Sequence, residues 1–282
     1  MHNINRITPR ILIATDFSSD SERAFFHALS LAVAQRARLT LLHIGPESRK
    51  EVPWDKYPGV RDTLVDWQML DAASPRSDVI DKLGLNIKKM AMRDEDPYNG
   101  MVDYLRKHPT DLLVMATEAR RGMARLKRSS VAEAVAFSSH SHALLIPSSA
   151  PSLVDSDSGA KTLQKVLVIY DHEPDPRNAL AWLNEWLPAF GEGQIEVHLL
   201  YLGDEANAPE IVLPSHKSLK WTRLALQGPL QSTILEHAEQ FGADMIVMMN
   251  QRSRGLLGRF RGSLNEQILR RAGRPVLLLP EI

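Results

Sequence analysis

Short apolar runs recur along the chain, separated by stretches with a longer period. In the first half the runs are Ile11–Thr15, Leu39–Ile44, Leu112–Met115 and Ala143–Ile146. Unbroken apolarity over so short a span predicts strands buried on both faces, as in a parallel sheet. Between the runs, Ala24, Ala28, Leu31 and Ala32 recur at the spacing of a helical stripe. Met101, Val102 and Leu105 do the same, and so do Val131, Val135 and Ala136. Start signals accompany them: Ser19-x-x-Glu22 has the capping-box pattern. Asp175–Pro176 sets a capping acid before a proline suited to the first helical position. The second half repeats the scheme with Val166–Tyr170, Ile195–Leu202, Met245–Met249 and Val276–Leu279. Strands alternating with helices predict right-handed crossovers and a doubly wound sheet. Pro46–Gly84 and Gly203–Lys217 carry no clear period; Trp54, Trp67, Ser74 and Pro75 predict an excursion around a helix in the first of them.

The two halves are copies of one unit. Asp111–Pro147 aligns with Asp244–Pro280 at a constant offset of 133 and without a gap. Both copies open with Asp and an apolar strand, then pass a basic loop containing Arg121–Gly122 or Arg254–Gly255. Both reach a small-residue pair, Ser129–Ser130 or Gly262–Ser263, with Glu133 or Glu266 three positions later, and close on an apolar strand ending in proline. At the front, Arg10–Asp16 and Lys165–Asp171 are each an apolar run ending in Asp. Ser148–Gln164, rich in Ser, Pro, Asp and Gly, reads as a surface linker. The organisation expected is therefore a first domain over 1–148, a linker over 149–164 and a second domain over 165–282.

With 282 residues, the chain can give each copy a core of its own. The formal net charge is zero, which argues against a nucleic-acid or membrane-surface role driven by bulk charge. Absence of cysteine excludes disulfides, cysteine-ligated metal and thiol catalysis. Met1–Pro9 is polar, unlike the apolar core of a secretion signal, and no apolar run is long enough to span a bilayer. A cytoplasmic protein with no membrane or nucleic-acid partner is expected.

Four stretches together resemble the universal stress protein family: Ile11–Ala24 (ILIATDFSSDSERA), Val114–Gly122 (VMATEARRG), Ser129–Val135 (SSVAEAV) and the closing strand ALLIP. The resemblance covers nearly all of both copies, apart from the linker and the two variable segments. It implies an α/β fold of two tandem doubly wound five-stranded parallel-sheet domains, Rossmann-like and similar to the adenine nucleotide alpha-hydrolases. ATP-binding relatives carry a phosphate loop of the form G-x-x-G, a nine-residue spacer and G-[S/T]. Such glycines let phosphate approach the backbone, and the last pair opens a helix whose N-terminus favours an anion. Here that frame falls on Ala116, Ala119 and Ser129–Ser130 in the first copy, and on Met249, Arg252 and Gly262–Ser263 in the second. Only one Gly-Ser pair survives.

The nucleotide-contacting positions that the resemblance implies are Thr15, Asp16, Ile44, Ala116, Ala119, Ser129, Ser130 and Val131, together with Asp171, Arg252, Gly262, Ser263 and Leu264. The arginines of the two loops (Arg120, Arg121, Arg125 and Arg128; Arg252, Arg254, Arg259 and Arg261) read either as solvated charges or as contacts to an anion. Asp16 and Asp171 read either as ligand contacts or as caps of the following turn.

Other constellations weigh less. Asp171, Glu173 and Asp175 have oxygens suited to Mg²⁺, but a helix start explains them better. His140-x-His142 lacks a third metal ligand nearby and is read as surface histidine, and Trp182 with Trp186 is read as packing. No catalytic or metal-ligating set is expected. The reading is a non-enzymatic tandem stress-response protein with little or no ATP binding. The alternative is an ATP-binding switch with weak hydrolysis, using the basic loops and the Gly262–Ser263 helix start. The partners expected are an intramolecular domain pair joined through the final strands, a homodimer, and protein partners that the sequence does not specify.

Overall fold

The computed structural model describes residues 8–46, 51–117, 131–250 and 264–281. The first copy builds β1 (Arg10–Ala14), α1 (Ser19–Gln35), β2 (Arg38–Gly45), α2 (Val60–Asp66), α3 (Asp78–Asp81), β3 (Asn86–Arg93), α4 (Pro97–Lys107), β4 (Leu112–Thr117), α5 (Val131–Ser138) and β5 (His142–Pro147). The second builds β6 (Lys165–Tyr170), α6 (Pro176–Trp186), β7 (Ile195–Leu202), β8 (Leu219–Leu226), α7 (Leu230–Phe241), β9 (Met245–Asn250), α8 (Leu264–Arg271) and β10 (Val276–Pro280). All ten strands form one sheet in the order β3-β2-β1-β4-β5-β10-β9-β6-β7-β8. Every neighbouring pair is parallel except β5 with β10.

That antiparallel seam is self-complementary. Leu277 lies opposite Leu144, its own mate at the offset of 133, while Leu278 lies opposite Ala143 and Val276 opposite Leu145. A pairing in which each residue meets its equivalent or the exchanged partner is the signature of a twofold contact. Two apolar edges thereby cover each other instead of standing open. The cores on both sides of the sheet run across the seam: Leu144 and Leu277 share one cluster, Leu145 and Leu278 the other.

Helix ends follow local chemistry. Ser18, one residue ahead of the capping-box serine, is the N-cap of α1 and accepts from Ser21 N. Asp96 and Asp175 cap α4 and α6, each followed by a proline. Gly242 ends α7 at φ 67°, where a left-handed turn returns its N–H to Ala238 and Glu239.

The polar connection differs from a free surface linker. Leu153, Val154 and Leu163 are buried. The Arg23 guanidinium donates to the carbonyls of Pro147, Ser148 and Ala150, and Trp67 Nε1 donates to Ser156 O at 2.8 Å. A cluster of serines and aspartates hides the few apolar anchors that dock it. His142 also departs from a surface position: it is 7 % exposed and stacks on Trp182 across the seam at 4.1 Å, with Trp186 stacked behind at 4.9 Å.

Candidate functional site

In the first copy, the carboxyl end of β1 opens on a cleft. Thr15 leaves the strand with its carbonyl accepting from His43 Nδ1 at 2.8 Å. Its hydroxyl accepts from Phe17 N and lies 3.0 Å from Ser21 Oγ. Phe17 adopts a left-handed φ of 63°, a costly conformation for a side chain of that size. Its ring holds it there, packed against His43, Trp54 and Tyr57 with centroids 4.7–5.5 Å away. Asp16, between them, accepts from the Ser18 amide and hydroxyl. Burial acts to raise the Asp16 pKa, but these hydrogen bonds outweigh it and hold the carboxyl below its usual value. Asp16 thus makes the turn that starts α1, and its charge stays at the cleft.

The cleft has a volume of about 290 Å³. Leu42, Ile44, Met101, Met115, Ala116 and Ala132 give apolar surface, while Thr15, Asp16, Ser18, Asp20 and Ser21 supply hydroxyls and carboxylates. Val131, at the start of α5, lies at the rim. Five positions singled out in the sequence (Thr15, Asp16, Ile44, Ala116 and Val131) therefore meet in one cavity. Met101 and Met115 line it too. Their positions on a helix stripe and a buried strand marked them as core, and nothing in the pattern marked them as cleft. Gly100 keeps α4 close, since a Cβ there would come within 2.9 Å of Ile44 Cγ2. Ala119, Ser129, Ser130, Arg252, Gly262, Ser263 and the basic loops lie outside the described residues.

The profile of the Universal stress protein family matches residues 8–147 and 215–280. The chain belongs to the universal stress protein family. A universal stress protein from Archaeoglobus fulgidus DSM 4304 superposes with a TM-score of 0.64 over 97 % of this chain and 97 % of its own, at 15 % identity. A functionally unknown protein from Pseudomonas aeruginosa PAO1 gives 0.59 over 97 % and 93 %, at 12 % identity. At such identities the likeness is one of fold. No curated protein sequence matches the chain.

The two universal stress domains are unequal at this place. Strand registers make Ile169 the mate of Ala14, Leu202 of Ile44 and Met249 of Ala116. Leu264, at the start of α8, occupies the place of Val131 and packs on the core. Larger side chains thus stand where the first domain leaves room. Asp171 is exposed, and its carboxylate accepts from the adjacent His172 amide at 2.7 Å. Asp175 caps α6 and pairs with Arg177, and among the described residues no three acids or histidines converge as a metal site. No described helix is long and apolar enough to cross a membrane.

Proposed function

We propose that the chain is a non-enzymatic stress-response protein with one working ligand cleft, in its first domain, and a second domain that serves as its fused dimer partner. The observation that carries this is the 290 Å³ cavity, bounded by the positions expected to meet a nucleoside and set beyond the carboxyl ends of parallel strands. Its size is at the small end of ligand sites, which span about 300–1,000 Å³. An apolar floor suits a flat, uncharged heterocycle, and the carboxylate of Asp16 suits its hydroxyl or amino donors. Asp16 and Asp20 oppose a phosphate near them, so a nucleoside fits this part of the cleft better than a nucleotide. Family membership supports the stress-response role.

Calorimetric titration tests the reading with adenosine, with ATP and Mg²⁺ beside it. Adenosine is expected to bind and ATP to remain unhydrolysed. Ala116→Met, which installs the second domain's residue, is expected to weaken adenosine binding at least about tenfold, since the thioether fills the floor. Steady ATP turnover would contradict the non-enzymatic reading. Unchanged adenosine affinity in Ala116→Met, or no binding by the parent chain, would contradict the cleft.

A further inference from the structure

At the opposite, amino end of the first domain's sheet lies a second cleft, of about 330 Å³. Arg10, Arg38, Lys88 and Lys107 line it together with Thr40, Tyr104 and His108, and no carboxylate is among the lining residues. The register explains the convergence. Arg10 pairs with Arg38, and Thr40 pairs with Lys88, so neighbouring strands set these side chains in adjacent rows below the end of α4. Arg10 is partly neutralised by Asp111 at 3.4 Å. Among the described residues Arg38, Lys88 and Lys107 form no ion pair with an acid. His108 stacks on Tyr104 at 4.1 Å, and its Nδ1 donates to the Tyr104 carbonyl at 3.0 Å. The same carbonyl accepts from the His108 amide at 2.9 Å, so the ring adds a second bond at the negative end of α4 and keeps its Nε2 out of that bond.

The second domain supplies the comparison. Glu196 stands where Arg38 stands, Lys220 where Asn86 does, and Thr222 where Lys88 does. Glu196 and Lys220 lie 3.8 Å apart. The same fold therefore tolerates a charge-balanced floor at these positions, and the excess of cations belongs to the first domain alone. In a chain of zero net charge, such unpaired like charges repel one another unless a counter-ion joins them.

We propose that this cleft is an oligoanion site for a compact molecule bearing two or more phosphate groups. Adjacent strands are about 4.8 Å apart, so cations spread over three strands and a helix end reach farther than one phosphate does. Arginines grip phosphate oxygens in pairs, and the lysines add point charges. The site is separate from the adenosine cleft and does not depend on it.

The test is titration of the full chain with tripolyphosphate, beside fructose 1,6-bisphosphate, with sodium sulfate at matched ionic strength as the control. Saturable binding of either phosphate compound is expected, and the tighter of the two tells whether the source is a free oligophosphate or a phosphorylated metabolite. The double variant Arg38→Glu/Lys88→Thr, which copies the second domain, is expected to lose at least about tenfold in affinity with an unchanged circular dichroism spectrum. Lys107→Gln, which leaves the sheet untouched, is expected to weaken binding as well. Equal binding by the double variant and by Lys107→Gln would overturn the proposal. So would sulfate acting as strongly as tripolyphosphate, or no saturable binding by the parent chain.

Discussion

Two buried histidines hold the molecule together in their neutral form. His27 is 1 % exposed. Its Nδ1 donates to the Arg23 carbonyl and its Nε2 accepts from the Leu153 amide, so one imidazole ties α1 to the connecting segment. His142 donates from Nδ1 to the Asp111 carbonyl while stacking on Trp182 of the other domain. Burial is the main cause that pushes each pKa down, to about 4. Each folded value lies below the ordinary one near 6.5, so each histidine's contribution is complete above that pH and is lost as pH falls toward 4. Urea unfolding at about pH 7.5 and about pH 5 is expected to show a loss on the order of 2 kcal/mol per histidine. His142→Phe, which keeps a ring against Trp182, is expected to remove roughly half of that pH dependence. An undiminished loss in the variant would show that other groups carry it. None of this was readable from the H-x-H pattern, because burial of His142 depends on a tryptophan forty positions away in sequence. The repeated Asp111 and Asp244 were legible as a pattern but not as a role. Their carboxylates accept from the first amides of β1 and β6, at 2.7 and 2.8 Å, and hold each strand's start.

The elements that the sequence revealed are those buried on both faces. β1, β2, β4 and β5, and their mates β6, β7, β9 and β10, are continuous apolar runs because helices cover both sides of the sheet. β3 and β8 are the outer strands. Their sequences mix Lys88, Lys89, Lys220 and Arg223 with partly buried apolar residues, so no simple period announces a strand. Those cations also discourage pairing with another sheet edge. The docking of the connection between domains is hidden in the sequence for a related reason: the segment is polar and largely exposed, and its docking rests on a few contacts. Gly159 is the tightest of them, at φ 72°, with an ideal Cβ falling 2.5 Å from Trp67 Cδ2. Gly159→Ala is expected to cost about 1–3 kcal/mol through the left-handed backbone and the clash together. Chemical denaturation would measure it, with the Trp67 fluorescence reporting locally. A neutral substitution would mean that the segment does not press on Trp67.

At the scale of the molecule, duplication has been followed by divergence. The shared scaffold persists in the registers of β1, β4 and β5 and of their mates β6, β9 and β10, and the seam keeps its twofold pairing. The clefts do not share this symmetry. Ala14 and Ala116 leave space in the first domain, whereas Ile169 and Met249 occupy the corresponding places in the second. The site's apolar floor was legible at Ile44 and Ala116, since a strand's end and a missing glycine can be read in one dimension. The part contributed by α4 was not, because it depends on where Gly100 lets that helix sit. The ten methionines supply a direct test, for they are distributed over both domains. Methyl NMR of the methionine-labelled chain under adenosine titration is predicted to shift Met101 and Met115, which line the open cleft, while Met248 and Met249 stay fixed. Shifts at Met248 and Met249, or none at Met101 and Met115, would contradict a single working cleft in the first domain.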